Sequence, residues 1–272
     1  MKLATVRLPA GTAAVRIDGD NAVEIGVADV GALLRAVDWR ERAERAAGPA
    51  HDVGALDFAP LVPRPPKIIC VGLNYRSHIL EFNGKVPEFP TLFAKYALAL
   101  IGAHDDIVLP AVSAQVDWEA ELGLVIGKPV RGVSAADAPA AIAGYTVVND
   151  ISVRDWQSRT PQWLQGKTFE ATTPVGPYLV TPDEAGERHE LTCEVNGEPM
   201  QKAYTDDLVF GPAQIVSNIS AILTLEPGDV IATGTPGGVG AARKPQRFLA
   251  DGDTVVTRIS GVGVCRNTCR RA

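Results

Sequence analysis

The chain has 272 residues, 46% of them hydrophobic and 21% charged, with a formal net charge of −6. That length buries a substantial core in one large domain, or in a large domain with a small appendage, and the composition is that of a folded globular protein. The modest acidic balance, with no block of Lys and Arg, excludes a dedicated nucleic-acid binder but leaves room for a small anion in a locally basic cleft.

No apolar run approaches the ~18–20 residues that cross a bilayer, and MKLATVRLPAGTAAVRIDGD has no signal-peptide core, so no membrane association is expected. Cys70, Cys193, Cys265 and Cys269 are too few and too scattered for a disulfide framework. Cys265 and Cys269 also lack a second Cys or His pair to complete a four-ligand site. Free thiols in a reducing cytoplasm are the expectation.

From the N-terminus, residues 13–27 read as a hairpin turning at Asp18-Gly19-Asp20-Asn21. Apolar residues at helical spacing (Val30, Leu33, Leu34, Val37) predict a helix over 28–47, ended by Gly48-Pro49. The proline-rich 61–67 segment marks a boundary between a small N-terminal unit, residues 1–62, and a main domain, residues 66–272. The main domain is rich in short β-branched runs: 68–72, 121–126, 144–148, 178–180, 191–195, 229–233 and 254–259. Helices are expected only at places such as 137–143 and 213–224. The pattern is α+β and β-rich, not a regular βαβ alternation.

Within DWEAELGLVIG, residues 117–127, the carboxylates of Asp117, Glu119 and Glu121 alternate and share one face of an extended strand. Two such charges ~6–7 Å apart repel by roughly 2–3 kcal/mol at an effective dielectric of 20, so they need either open water or a cation. A solvated edge strand shows the same alternation. Asp150, closing the strand-like run GYTVVND, adds a fourth acid at a strand terminus, where sites tend to open. Glu119, Glu121 and Asp150 form a sensible oxygen set for Mg²⁺.

His78 and Glu81 are three apart, which on a helix places them on one face, where the carboxylate fixes the imidazole tautomer and raises its basicity. A surface ion pair has the same spacing. The segment Phe82–Pro90 that follows has the Gly and Pro punctuation of a mobile loop. Arg154, Gln157 and Lys167 offer hydrogen bonds and charge to a carboxylate or an enolate oxygen. The run Thr233–Gly240 lacks the Lys-Ser/Thr ending of a phosphate loop, and reads as a tight turn whose N–H groups and Thr hydroxyls approach a ligand.

Taken in order, KIICVGLNYRSHILE, DWEAELGLVIG, GYTVVNDISVRDWQ, QGKTFE, VNGE, TLEPGDVIATGTPGGVG and LADGDTVV resemble the fumarylacetoacetate hydrolase family from about Lys67 to near the C-terminus. The resemblance implies a mixed β-roll catalytic domain preceded by a small N-terminal α/β domain, assembled as a homodimer. It implies Mg²⁺ or Mn²⁺ on Glu119, Glu121 and Asp150, a His78–Glu81 dyad in a lid, and Lys167 as the catalytic lysine. Substrate contacts are expected from Arg154, Gln157 and Thr235, and from Arg76 beside the dyad. Asp117 becomes a neighbour of the ligands. Two stretches depart from the commoner pattern: Thr168-Phe169-Glu170, and Phe93–Leu100 with its Tyr96.

The implied substrate is a small carboxylate, a 2-oxo or β-diketo acid. The leading expectation is metal-dependent C–C hydrolysis of an acylpyruvate. Decarboxylation of an oxaloacetate-type acid and isomerisation of a 2-hydroxy-dienedioate use the same enolate. A catalytically silent, acid-binding dimer is the alternative of another class.

Overall fold

Central to the fold is the strand Ala120–Ile126, whose seven residues are all buried. Leu122, Leu124 and Ile126 pack into one apolar cluster and Val125 into the other, so both faces of the strand are covered and its sequence reads as a continuous apolar run. The structure, a computed structural model, describes residues 1–81 and 84–272. Phe82 and Asn83, which open the expected loop, lie outside the described residues.

Around that strand the described residues form a large sheet whose order is Ala50–Asp52, Asn21–Glu24, Gly11–Asp18, Lys2–Leu8, Thr173–Val180, Ile142–Asn149, Ala120–Ile126, Val230–Ala232, Ile68–Gly72 and Thr91–Ala94. Most neighbours are antiparallel, but Val230–Ala232 runs parallel to Ile68–Gly72. A second sheet packs Glu198–Tyr204, Glu190–Val195, Thr254–Ile259, Gly263–Arg271 and Ile107–Leu109 in that order. The protein is thus β-rich with few helices, the longest among the described residues being Pro212–Ile222.

The N-terminal strands are built into the large sheet. Lys2, Leu3 and Ala4 pair with Val180, Leu179 and Tyr178. Leu3, Leu33, Leu34 and Leu61 share a buried cluster with Leu179 and Val230. The 13–27 hairpin forms from Gly11–Asp18 and Asn21–Glu24.

The helix expected over 28–47 is instead two short helices, Val30–Leu34 and Trp39–Glu44. The Asp29 side chain caps the first by accepting the Ala32 N–H at 2.7 Å. Val37, counted in the apolar face, is fully solvent-exposed. It supplies no burial to carry a helix through the break. The 137–143 segment is a single 3₁₀ turn, Ala138–Ala141, because Ile142 already pairs with Ile126 in the sheet. Asn196 and Gly197 both have positive φ and join Glu190–Val195 to Glu198–Tyr204 as a two-residue hairpin.

Candidate metal and substrate site

Strand register assembles the acids. Ala120 pairs with Asn149 across two adjacent strands, and the Asp150 N–H donates to the Glu119 carbonyl at 2.8 Å. Glu119, just ahead of its strand, is thereby set beside Asp150, just past the end of the other. Asn149 braces the corner: its Oδ1 accepts the Glu119 N–H at 2.9 Å and its Nδ2 donates to Thr257 Oγ1. Glu119, Glu121 and Asp150 are all buried, and each offers an oxygen within 4.8 Å of the others.

Three cations surround them. Lys167 Nζ lies 2.7 Å from Glu119 Oε2 and 2.8 Å from Asp150 Oδ2. Arg154 Nη1 contacts Glu119 Oε1 at 2.6 Å, and Lys95 Nζ contacts Asp150 Oδ1 at 2.6 Å. Burial alone would push Glu119 up, but Lys167 and Arg154 outweigh it and hold its carboxyl down at about 2. Burial pulls Lys167 down, yet Asp150 and Glu119 beside it raise it overall. Glu121 differs. Burial first, then the charges of Asp150 and Glu119, push its carboxyl well above the usual range. Among the described residues it forms no ion pair, and its Oε2 accepts only the Gly234 N–H at 2.7 Å.

The acids therefore fit a hard divalent cation. They are three clustered carboxylates of the type Mg²⁺ and Mn²⁺ prefer, and one of them is buried with no ion pair of its own among the described residues.

A cavity of about 410 Å³ opens onto this corner, lined by Glu119, Glu121, Arg154, Gln157, Lys167 and Thr235 among others. Thr235 Oγ1 donates to the Ala120 carbonyl and accepts from Gln201 Nε2, so the glycine-rich turn is tied to the acid-bearing strand. Gly234 and Gly238 take φ of +102° and +99°, conformations that disfavour any side chain.

His78 also lines the cavity, from the short helix Arg76–Glu81. Its Nδ1 lies 3.1 Å from Glu81 Oε2, and Glu81 Oε1 accepts the Gly238 N–H at 3.1 Å. Glu81 thus ties the dyad helix to the glycine-rich turn.

Arg76 does not line this cavity: its guanidinium donates to the Asp207 and Leu208 carbonyls. Residues two apart on a helix do not share a face, so adjacency to His78 carried Arg76 away from the site. Tyr96 is exposed and likewise does not line the cavity.

Three contributors were not assigned to the site from the sequence. Lys95 is a lone cation at the end of the strand Thr91–Ala94, beside exposed Tyr96. Asp117, set aside as a ligand, accepts the Trp118 and Gly240 N–H groups at Oδ1, and Arg154 Nε and the Ala241 N–H at Oδ2. It positions Arg154. Trp163, a lining residue, packs over Gly72 so closely that a Cβ there would meet its ring at 2.3 Å. The Cys265 and Cys269 thiols are buried and free, as expected of core residues.

The sequence model of the fumarylacetoacetate (FAA) hydrolase C-terminal family matches residues 67–270. The mitochondrial oxaloacetate tautomerase FAHD2A of Bos taurus is 48% identical over 214 residues, covering 77% of this chain and 68% of that protein. Among solved structures, fumarylacetoacetate hydrolase from Exiguobacterium antarcticum superposes with a TM-score of 0.88 at 29% identity over all of both chains. The 5-carboxymethyl-2-hydroxymuconate delta-isomerase of Mycobacterium smegmatis does so with a TM-score of 0.83 at 34% identity, again over all of both chains. The matched sequence, the shared fold and the conjunction of acids, cations and dyad place this chain in the fumarylacetoacetate hydrolase family.

Proposed function

We propose that the protein is a divalent-metal-dependent enzyme that moves a proton on the enol of a small 2-oxo acid, with keto–enol tautomerisation of an oxaloacetate-type acid as its reaction. The observation that carries this reading is Lys167, which lines the cavity while its ammonium bridges two of the three clustered acids. An enolate oxygen arriving there meets a buried positive charge. Mg²⁺ or Mn²⁺ on Glu119, Glu121 and Asp150 would supply Lewis-acid neutralisation of the substrate carboxylate and 2-oxygen.

Arg154 and Gln157 orient the substrate carboxylate from the helix they share, and Thr235 from the glycine-rich turn. His78, its ring held by Glu81, carries the proton to C3 as the 2-hydroxyl gives its own up, so substrate and product differ only in proton position. The relatives named above as a tautomerase and an isomerase agree with such a shift.

The acylpyruvate hydrolysis expected from the sequence is a second reading. The same His78–Glu81 pair is built to activate water, and the cavity exceeds what a four-carbon acid fills. The homodimer and the reducing, cytoplasmic setting remain parts of the proposal; four buried, free cysteines agree with the latter.

The test follows enol–oxaloacetate absorbance with Mg²⁺, with Mn²⁺ and with chelator, and separately analyses the products from acylpyruvates. Metal-dependent decay of the enol signal without loss of mass supports tautomerisation. Pyruvate plus a carboxylic acid replaces it with hydrolysis, and carbon dioxide replaces it with decarboxylation. Saturable binding of these acids with no turnover leaves the silent acid-binding protein.

A further inference from the structure

Each of the three clustered carboxylates has one oxygen held by a donor other than Lys167, which takes the second oxygen of Glu119 and of Asp150. Arg154 Nη1 holds Glu119 Oε1 at 2.6 Å, the Gly234 N–H holds Glu121 Oε2 at 2.7 Å, and Lys95 Nζ holds Asp150 Oδ1 at 2.6 Å. The third holder is unlike the others. Lys95 is only 3% exposed and does not line the cavity, and its ammonium also donates to the Ile151 carbonyl at 3.1 Å. It is bound to both the side chain and the backbone of the corner that carries Asp150. Lys167, on the other oxygen of Asp150 and of Glu119, lines the cavity, and a cation bound by the acids would take its place on those two oxygens.

We infer that Lys95 is a metal-selectivity residue: by occupying Asp150 Oδ1 it restricts that ligand to one oxygen and so favours Mg²⁺ or Mn²⁺ over Ca²⁺. The inference rests on the metal site proposed above. Mg²⁺ takes six oxygens in a strict octahedron, which three single-oxygen carboxylates leave open for water and substrate. Ca²⁺ takes up to eight, commonly by using both oxygens of a carboxylate. A site whose carboxylates each lend one oxygen denies Ca²⁺ that gain. Lys95 is the holder whose removal leaves both the cavity wall and the backbone donors in place.

The experiment measures Mg²⁺, Mn²⁺ and Ca²⁺ affinities of the full chain by calorimetry after chelator treatment, for the wild type, Lys95→Met and Lys95→Arg. Removing the donor in Lys95→Met shifts the Ca²⁺:Mg²⁺ affinity ratio toward Ca²⁺ by about tenfold or more. Lys95→Arg, which keeps a donor on Oδ1, stays within about threefold of wild type. An unmoved ratio in a Lys95→Met protein that still binds Mg²⁺ overturns the inference and leaves the metal site standing. A wild type that binds none of the three ions overturns both. If Lys95→Met does not fold, a crystal structure of the wild type in Ca²⁺ decides: one Asp150 oxygen on the ion agrees, and two refute it.

Discussion

Replacing Asp117 with Asn tests whether this acid, outside the metal set, supports the site from behind. Its two oxygens accept four N–H donors, from Trp118, Gly240, Arg154 and Ala241, at 2.7 to 2.9 Å. A carboxylate serves four donors, whereas an amide keeps acceptor character on one oxygen only. Whichever way the Asn turns, its NH₂ faces two N–H groups. If the oxygen stays with Arg154 and Ala241, the Trp118 and Gly240 N–H groups are left buried and unmatched. Each such loss costs about 1–3 kcal/mol, and weakening the buried Arg154 pair adds to it, so the substitution should remove about 3–5 kcal/mol. That is a large share of the roughly 5–15 kcal/mol that holds a domain folded. Urea denaturation followed by circular dichroism measures it, with an unchanged slope showing that the unfolded state is comparable. With Arg154 loosened, KM for a 2-oxo acid should rise. A stability loss below about 1 kcal/mol would refute the reasoning.

Two further outcomes follow from packing and charge. In Gly72→Ala the new methyl would meet the Trp163 ring at 2.3 Å, so the ring must move against Phe93, whose centroid lies 5.5 Å away. A stability loss of about 1–3 kcal/mol and a shifted tryptophan emission are expected, and unchanged emission would show that the ring does not fill this position. Asp183 is held down at about 2, first by its hydrogen bond from Arg40, which ties the helix Trp39–Glu44 to the segment after Val180. A carboxyl lowered on folding adds stability above its unfolded pKa near 4 and loses it as pH falls through about 2. Because Asp183 is 60% exposed, solvent screens the pair to about 0.5 kcal/mol. Asp183→Asn should therefore lower the melting temperature slightly at pH 6 and less still at pH 2.

What the sequence disclosed of the site was set by locality. Glu119 and Glu121 were legible because alternation in a strand is a local pattern, and Asp150 because strand ends announce themselves. Lys95 was not: its burial depends on Ala94 pairing with Ile69, which carries the next residue into the corner behind Asp150. Nor was the work of Asp117, half of whose donors arrive from Gly240 and Ala241 in a distant turn. The N-terminal strands illustrate the same limit, since the pairing of Lys2–Ala4 with Tyr178–Val180 joins segments that no window spans. The non-local residues are the ones that set the charge of the site. Four carboxylates (Asp117, Glu119, Glu121 and Asp150) lie among three cations (Lys95, Arg154 and Lys167), and Glu121, whose carboxyl is pushed well above the usual range, is the one without an ion pair among the described residues. A divalent cation on the acids would favour the ionised form of Glu121 and leave the corner positive toward an anionic acid of the kind proposed above. Seen as a local pattern, the acids ask only for some positive charge. Counted with the lysines and arginine that the fold brings to them, three of the acids are already paired, and the demand for a further cation narrows to Glu121.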